Sequence, residues 1–349
     1  MVFGTISGEV CAIDIYNGEN RDNTCTEDSA ETTVPIKSLG YYGKNHNDTM
    51  LGLCWLRPQS SDAGGSIFGE SRGNGNLFLS GSSRGRVCLG DVSREFDPTN
   101  SSSYSIVHEY PVFEKLTSVH VNSTNELIIL SGYSTGVNIV DAETSKLTRD
   151  FKNIHQDHIN ISRFSTMSPN LFATSSFDGT IKTWDLRQSC GTSSVGGSTP
   201  VPSDKPIYTV QANSGVVMIN FSVDDNFILA SALDNEINQY LFLDGRKHLT
   251  YNIPRTGLKS NFTRAYYSAS GRHTLTGACE ENTVKIMCTY TGEPISSVPL
   301  YPGRKDKSLY IQVNLLFPAI PGQPIHRNHK CIIFIVLLYF LIEFFSSFF

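Results

Sequence analysis

The chain has 349 residues, of which 39% are hydrophobic and 17% are charged, and its formal net charge is −5. This composition excludes an intrinsically disordered protein and fits one large globular domain or two ordinary ones. The mild negative charge is not typical of a nucleic-acid-binding protein, so we expect protein partners and no nucleic acid.

The eight cysteines include no C-x-x-C pair, and the first residues, MVFGTISGEV, lack the charged and apolar regions of a secretory signal. Scattered cysteines without a signal favour reduced thiols over disulfides or a structural zinc site. We therefore expect a nuclear and/or cytoplasmic protein.

A block of two predicted strands joined by a tight turn recurs along the chain. The blocks lie at residues 4–15, 78–92, 128–142, 171–187, 228–242 and 274–288. Their apolar anchor residues are 44 to 77 residues apart, and most spacings are near the roughly 40–45 residues of a four-stranded repeat with its loops. A long-period β repeat is therefore predicted.

A shorter predicted strand precedes five of the blocks. These strands lie at residues 50–55, 116–121, 159–164, 216–221 and 262–267. Alternating apolar residues, β-branched residues and aromatics support the strands, whereas no segment outside the C-terminal tail has a sustained helical period. The pattern indicates an all-β repeat protein.

Residues 152–187 closely resemble a WD40 repeat and contain its Trp-Asp pair. The resemblance implies a β-propeller, in which each repeat forms one four-stranded blade. It also implies a structural tetrad of buried, hydrogen-bonded side chains at His155, Thr174, Asp178 and Trp184. A buried carboxylate needs such partners, and an imidazole can relay the bond to a hydroxyl and an indole.

The other blades depart from this pattern. The second places Arg84 and Gly90 at the aspartate and tryptophan positions, and the fifth keeps Asp234 and Tyr240 but has Ala212 in place of the histidine. The resemblance is therefore strong in one blade and limited to the strand pattern elsewhere.

We expect the propeller to occupy residues 1–317, with a half blade at the N-terminus, five full blades and the start of another. This is an incomplete or truncated version of a seven-bladed ring. Residues 318–349 form a tail of different composition.

Within that tail, residues 331–349 are almost wholly apolar, with Glu343 as the only charge. The segment is long enough to cross the apolar core of a bilayer, which takes roughly 17–25 residues. Three interpretations stay open: a membrane anchor, an aberrant segment such as translated intron, or a buried terminal element. A membrane is a partner only in the first case, which would place the protein on a cytosolic membrane face.

Residues 172–187, FATSSFDGTIKTWDLR, also resemble the DWD box, or WDxR motif, of substrate receptors for cullin-4 RING ubiquitin ligases. The matching positions are Phe172, Ala173, Thr174, Asp178, Ile181, Trp184, Asp185, Leu186 and Arg187, whereas Thr183 departs from the motif. The resemblance implies that Trp184, Asp185 and Arg187 bind the ligase adaptor, so that the propeller links it to an unknown substrate protein. The alternatives are a solvated arginine at a strand end, in a general WD40 scaffold, or a tail-anchored membrane adaptor.

Two patterns resemble catalytic or metal sites but lack their context. The G-x-S-x-G sequences at 69–73 and 81–85 place Ser71 in a Gly-rich insertion and Ser83 in a hairpin turn, not in a strand-to-helix elbow. His155 and His158 lie three residues apart beside Asp157, with no further ligand cluster. We predict a protein that is not an enzyme and has no catalytic residue, cofactor or metal.

Overall fold

The computed structural model describes residues 2–4, 9–13, 36–41, 48–58, 76–93, 106–188, 205–255, 257, 263–268, 270–278 and 283–299. Across these residues the regular elements are all β-strands, arranged in six antiparallel sheets. In each sheet, neighbours in sequence are also neighbours in space. We call the sheets blades 1 to 6 in chain order and the strands of a four-stranded blade a to d.

Blade 1 has three strands: β1 (Val2–Gly4), β2 (Glu9–Ile13) and β3 (Ile36–Tyr41). Blade 2 contains β4 (Met50–Trp55), β5 (Leu77–Ser82), β6 (Val87–Asp91) and β7 (Ile106–Glu109). Blade 3 contains β8 (Leu116–Val121), β9 (Leu127–Gly132), β10 (Val137–Asp141) and β11 (Leu147–Phe151).

Blade 4 contains β12 (Ile159–Phe164), β13 (Leu171–Ser176), β14 (Thr180–Asp185) and β15 (Tyr208–Gln211). Blade 5 contains β16 (Val216–Phe221), β17 (Phe227–Ala232), β18 (Glu236–Leu241) and β19 (Lys247–Thr250). Blade 6 contains β20 (Ala265–Tyr267), β21 (His273–Ala278), β22 (Thr283–Cys288) and β23 (Pro294–Pro299).

The middle strands of the blades are buried on both faces. All six residues of β5 are buried, as are five of the six in β13, whereas the outer strand β11 is mostly exposed. Middle strands are covered on both faces by neighbouring blades, so they need apolar or small residues at successive positions rather than strict alternation. This explains the short apolar runs of the predicted blocks.

The innermost strands of successive blades pack against each other, and polar side chains join them. Thr117 Oγ1 donates to the carbonyl of Ile159 at 3.0 Å, which links blade 3 to blade 4. Asn160 Nδ2 donates to Val217 O at 2.7 Å, linking blade 4 to blade 5. Within its own blade, strand a pairs only with strand b, so its other edge has unpaired carbonyls. These bonds satisfy two of them.

The antiparallel order gives the molecule two distinct faces. The a–b and c–d loops lie on one face, and the b–c turns and d–a loops lie on the other. We call the first the Arg187 face, because Arg187 follows β14 at the start of the c–d loop of blade 4, and the second the opposite face.

The predicted all-β propeller architecture is confirmed, and the predicted first strands of blades 2 to 5 coincide with β4, β8, β12 and β16. The N-terminal half blade contains three strands. No helix in the described ranges is long and apolar enough to cross a membrane. Residues 308–317 and the apolar segment 331–349 lie outside the described residues, so the predicted domain limits and the three interpretations of the tail stay predictions.

Candidate protein-docking site

The candidate site is built on the hairpin formed by β13 and β14. In its register Phe172 pairs with Trp184, and their rings stack at 14° with centroids 6.1 Å apart. The turn closes at Gly179, whose φ of +82° lies in the left-handed region that glycine adopts without strain. The apolar alternation and the Asp-Gly turn together explain why this stretch forms a hairpin.

The four predicted tetrad side chains lie together across blade 4. His155 Nδ1 lies 2.9 Å from Asp178 Oδ2, and His155 Nε2 lies 2.8 Å from Thr174 Oγ1. Trp184 Nε1 donates to the same hydroxyl oxygen at 3.0 Å. The partners indicate a neutral histidine that donates from Nδ1 to the carboxylate and accepts at Nε2 from the hydroxyl.

Asp178 organises the turn beyond the tetrad. Its carboxylate accepts the backbone N–H groups of Gln156 at 2.9 Å and Thr180 at 2.8 Å, and the Thr180 hydroxyl at 2.7 Å. Burial alone would raise its pKa, but these hydrogen bonds and His155 outweigh burial and lower the pKa to about 2. The carboxylate is therefore ionised at neutral pH and ties the d–a loop to the b–c turn.

Burial also lowers the pKa of His155, although the neighbouring Asp178 carboxylate opposes that shift. Desolvation disfavours the imidazolium, so His155 stays neutral at neutral pH. This protonation state agrees with the donor and acceptor pattern of the tetrad.

At the other end of β14, Arg187 forms a fork with Asp185. Its Nε donates to Asp185 Oδ1 at 3.0 Å and its Nη2 donates to Oδ2 at 2.9 Å, while its backbone N–H also donates to Oδ1 at 2.9 Å. The Arg187 side chain is 65% exposed and that of Asp185 is 14% exposed. The hydrogen bonds from Arg187 lower the pKa of Asp185 and raise that of Arg187, so both are charged at neutral pH.

The three residues that the DWD resemblance assigns to adaptor binding differ in accessibility. Trp184 is 2% exposed and lies in the core, so it contacts no partner directly. Asp185 is largely covered and holds the guanidinium, which leaves Arg187 as the accessible member. Their role in binding an adaptor stays a prediction.

Sequence reasoning missed Arg149, on the outer strand of blade 3. Its Nη1 donates to Leu186 O at 3.1 Å, and its guanidinium lies 4.7 Å from the centre of the Phe151 ring. Arg149 therefore fixes the backbone directly before Arg187 from a neighbouring blade. It lies outside the hairpin motif, so no sequence signal marks it.

Arg187 differs from the residues at the corresponding positions of the other four-stranded blades. Those positions, two residues beyond strand c, hold Ser93, Glu143, Leu243 and Tyr290. Leu243 is 87% exposed, and Met167, in the a–b loop of blade 4, is 67% exposed. The Arg187 face thus combines a cation with exposed apolar side chains.

The other blades hold their hairpins differently. In blade 2 the Phe78 ring occupies the space beside Gly90, where blade 4 has its tryptophan: a Cβ on Gly90 would lie 2.3 Å from Phe78 Cζ. In blade 5 Asp234 accepts the backbone N–H of Gly257 at 3.0 Å, and the buried Tyr240 hydroxyl has no hydrogen-bond partner among the described residues. Neither blade has the tetrad.

Neither the G-x-S-x-G serine in the described residues nor the His155 and His158 pair lies in a catalytic or metal-binding arrangement. Ser83 lies in the turn between β5 and β6, and its hydroxyl donates to Asp48 at 3.4 Å, whereas Ser71 lies outside the described residues. The His158 ring stacks between Tyr133 and Phe177, so it is half-buried rather than a fully exposed loop side chain. Within the described ranges no cluster of His, Cys, Asp or Glu is suited to hold a metal ion.

Comparison with known proteins agrees with this geometry. The family "WD domain, G-beta repeat" matches residues 149–185, which contain the whole tetrad. The chain is 36% identical over 316 residues to Protein DWD HYPERSENSITIVE TO UV-B 1 of Arabidopsis thaliana, a match that covers 89% of this chain and 34% of that protein. The chain thus spans about a third of the length of that relative.

Among solved structures, the WD40 β-propeller domain of Doa1 superposes with a TM-score of 0.58 and 15% sequence identity, over 88% of this chain and 80% of that one. This similarity shows the fold. The chain therefore has a WD40-type β-propeller fold and contains one matched WD40 repeat, and its sequence is similar to that of a DWD protein.

Proposed function

We propose that the protein is a non-catalytic substrate receptor that links the adaptor of a cullin-4 RING ubiquitin ligase to a target protein. The observation that carries the proposal is the exposed guanidinium of Arg187, held in place by Asp185 at the end of a tetrad-stabilised hairpin. The similarity to a DWD protein of Arabidopsis thaliana supports it.

The geometry suits docking because the arginine is already ordered. The fork to Asp185 uses Nε and Nη2, and among the described residues no group bonds Nη1. A planar guanidinium with Nη1 turned outward can donate to a carboxylate or a backbone carbonyl of a partner. Preorganisation lowers the entropy cost of binding, since the side chain does not have to be ordered on contact.

Exposed apolar side chains on the same face would add contact area. Met167 and Leu243 lie on loops of blades 4 and 5 on the Arg187 face. Arginine and methionine are enriched in protein interfaces, where apolar contacts around a charged anchor exclude water. We expect the ligase adaptor to cover this part of the face.

In this arrangement the opposite face stays available for the target protein. A receptor has to bind two proteins at once, and the two faces lie at opposite ends of the strands. The proposed location is the nucleus and/or the cytoplasm.

The test is co-precipitation of the ligase adaptor with the wild-type chain and with Arg187→Ala. The matched control is Arg246→Ala, because Arg246 also lies in a c–d loop, pairs with an aspartate two residues earlier at 2.6 Å, and is 75% exposed. We expect Arg187→Ala to lose adaptor binding and Arg246→Ala to keep it.

A third variant, Arg187→Lys, separates charge from shape. Lysine keeps the charge but cannot form the fork with Asp185 and donate outward at once. We expect Arg187→Lys to bind more weakly than wild type. Equal loss in Arg187→Ala and Arg246→Ala, or no binding by the folded wild type, would instead leave a general WD40 scaffold with another partner.

A further inference from the structure

One position recurs in strand a of five successive blades and is occupied by polar residues. The residues are Cys54, His120, Arg163, Asn220 and Tyr266. Each pairs with the third residue of strand b in its own blade, namely Leu79, Ile129, Ala173, Leu229 and Leu275. The five therefore lie at one level of the innermost strands, and we call them the inner polar ring.

Side chains of this ring reach toward the next blade. His120 Nδ1 accepts the backbone N–H of Phe164 at 3.2 Å, across the gap from blade 3 to blade 4. Asn220 Nδ2 donates to Ala265 O at 2.7 Å, across the gap from blade 5 to blade 6. Because Nδ1 of His120 accepts, its Nε2 carries the proton and is a donor.

Two members of the ring lack such a partner. Tyr266 is only 5% exposed, and its buried hydroxyl has no hydrogen-bond partner among the described residues. The guanidinium of Arg163, which is partly buried, likewise makes no hydrogen bond or ion pair with any described residue. Buried polar groups are nearly always satisfied in folded proteins, so the Tyr266 hydroxyl needs an explanation, whereas the Arg163 guanidinium is free to bind a partner or water.

The surroundings of the ring are rich in positive charge. Burial holds the pKa of His120 well below the usual value, and the charges of Arg163 and Arg57 add to this effect. Burial likewise lowers the pKa of Arg163, and the charge of Arg264 adds to this effect. Arg57 and Arg264 therefore lie close enough to act on ionisable members of the ring, which itself contains Arg163.

The nearby carboxylate of Asp225 opposes the effect of burial, which lowers the pKa of Arg57, but its hydrogen bonds lie away from the ring. It accepts the hydroxyl of Ser165 and the backbone N–H groups of Thr166 at 2.8 Å and Met167 at 2.7 Å, all in the a–b loop of blade 4. The inner polar ring itself contains no carboxylate. It offers hydrogen-bond donors, which suit an anion and not a metal cation.

We propose that the inner polar ring binds the phosphate group of a small molecule, with Arg163 and Tyr266 as its principal donors and His120 Nε2 as a third. A guanidinium matches the geometry of a phosphate, and a hydroxyl and an imidazole N–H complete its coordination. The ring lies among the innermost strands, where Cys54, Asn220 and Tyr266 are buried and His120 and Arg163 are half-buried, and this favours a small ligand over a protein segment.

The test uses the full chain and measures the melting midpoint in increasing sodium phosphate, with sodium chloride at matched ionic strength as the reference. We expect a saturable rise with phosphate beyond that with chloride, because a ligand that binds the folded state stabilises it. A parallel titration with glycerol 3-phosphate shows whether the site prefers the free anion or a phosphate monoester.

Two variants locate the effect. Arg163→Met removes the charge but keeps similar volume, and Tyr266→Phe removes only the hydroxyl. Neither loses a described hydrogen bond, so both should fold, with melting midpoints near or above that of wild type in chloride. We expect the apparent dissociation constant for phosphate to rise by about tenfold or more in each.

Arg246→Met is the matched control, since Arg246 is exposed on a c–d loop and pairs with Asp244. It should respond to phosphate as wild type does. The proposal is overturned if phosphate and chloride act alike on wild type, or if Arg163→Met and Tyr266→Phe keep the wild-type response.

Discussion

Replacing Asp178 with asparagine tests whether the tetrad carboxylate supports the hairpin that presents Arg187. Asparagine is nearly isosteric, so it leaves the packing in place and changes only charge and hydrogen-bond capacity. Its carbonyl can still accept from Thr180, but its amide group would meet the N–H groups of His155 and Gln156, which now donate to Asp178 Oδ2 at 2.9 Å each. Two hydrogen bonds to a charged group are lost.

Hydrogen bonds to a charged group contribute about 1.5–3 kcal/mol each, so Asp178→Asn should lower the free energy of unfolding by about 3–6 kcal/mol at pH 7. The effect should depend on pH. The folded pKa of Asp178 is about 2, below the ordinary value of 3.8, so its stabilisation is complete above pH ~4 and disappears as the pH falls toward 2. After allowance for solvent screening, this pH-dependent part amounts to about 1–2 kcal/mol.

The assay is urea unfolding of wild type and Asp178→Asn at pH 7 and at pH 3, followed by the fluorescence of the two tryptophans, Trp55 and the buried Trp184. We expect the difference in free energy of unfolding between the two proteins to be smaller at pH 3, because protonation of Asp178 then removes part of the stabilisation in wild type. Asp157→Asn is the control: the Asp157 side chain is 54% exposed and, among the described residues, its carboxylate bonds only the neighbouring His158. A gap of the same size at both pH values, or a mutant as stable as wild type, would refute the reasoning.

Three further predictions concern other buried positions. Trp184→Phe keeps a stacked ring but loses the N–H donated to Thr174, so urea denaturation should show a loss of about 1 kcal/mol, and no loss would mean that this bond is unimportant. Gly90→Ala places a methyl group 2.3 Å from Phe78 Cζ, so we expect a destabilisation of about 1–3 kcal/mol and a lower melting midpoint; an unchanged midpoint would show that the Phe78 ring moves freely. The pKa of His120 is well below its usual value of 6.5, so below pH ~6.5 the unfolded chain gains a proton that the folded chain does not. Wild type should therefore lose stability between pH 7 and pH 5 through this residue, and His120→Gln should reduce that loss; identical pH profiles in urea would contradict this.

Much of the architecture follows from local sequence patterns. Apolar runs between turn residues predicted four first strands correctly, because strand pairing through a tight turn depends on residues close in the chain. The tetrad is similarly local, since His155 and Trp184 belong to one repeat. Its side chains could be assigned from a single motif, and the structure brings those four side chains together.

Arg149 and the inner polar ring were not predictable in the same way. Arg149 supports Leu186 from the neighbouring blade, and the ring joins five blades through residues 43 to 66 positions apart. Cysteine, histidine, arginine, asparagine and tyrosine share no sequence signature. What they share is a register position next to the propeller axis.

The sequence by itself thus determined the strand content, the repeat and the hairpin with its Arg187, because each depends on short-range periodicity and turn chemistry. The tertiary structure decided which parts of the motif a partner can reach. It buries Trp184, keeps Asp185 as the holder of Arg187, and leaves the guanidinium exposed. The physical reason is that exposure depends on how neighbouring blades cover one another, and that packing joins residues far apart in the chain.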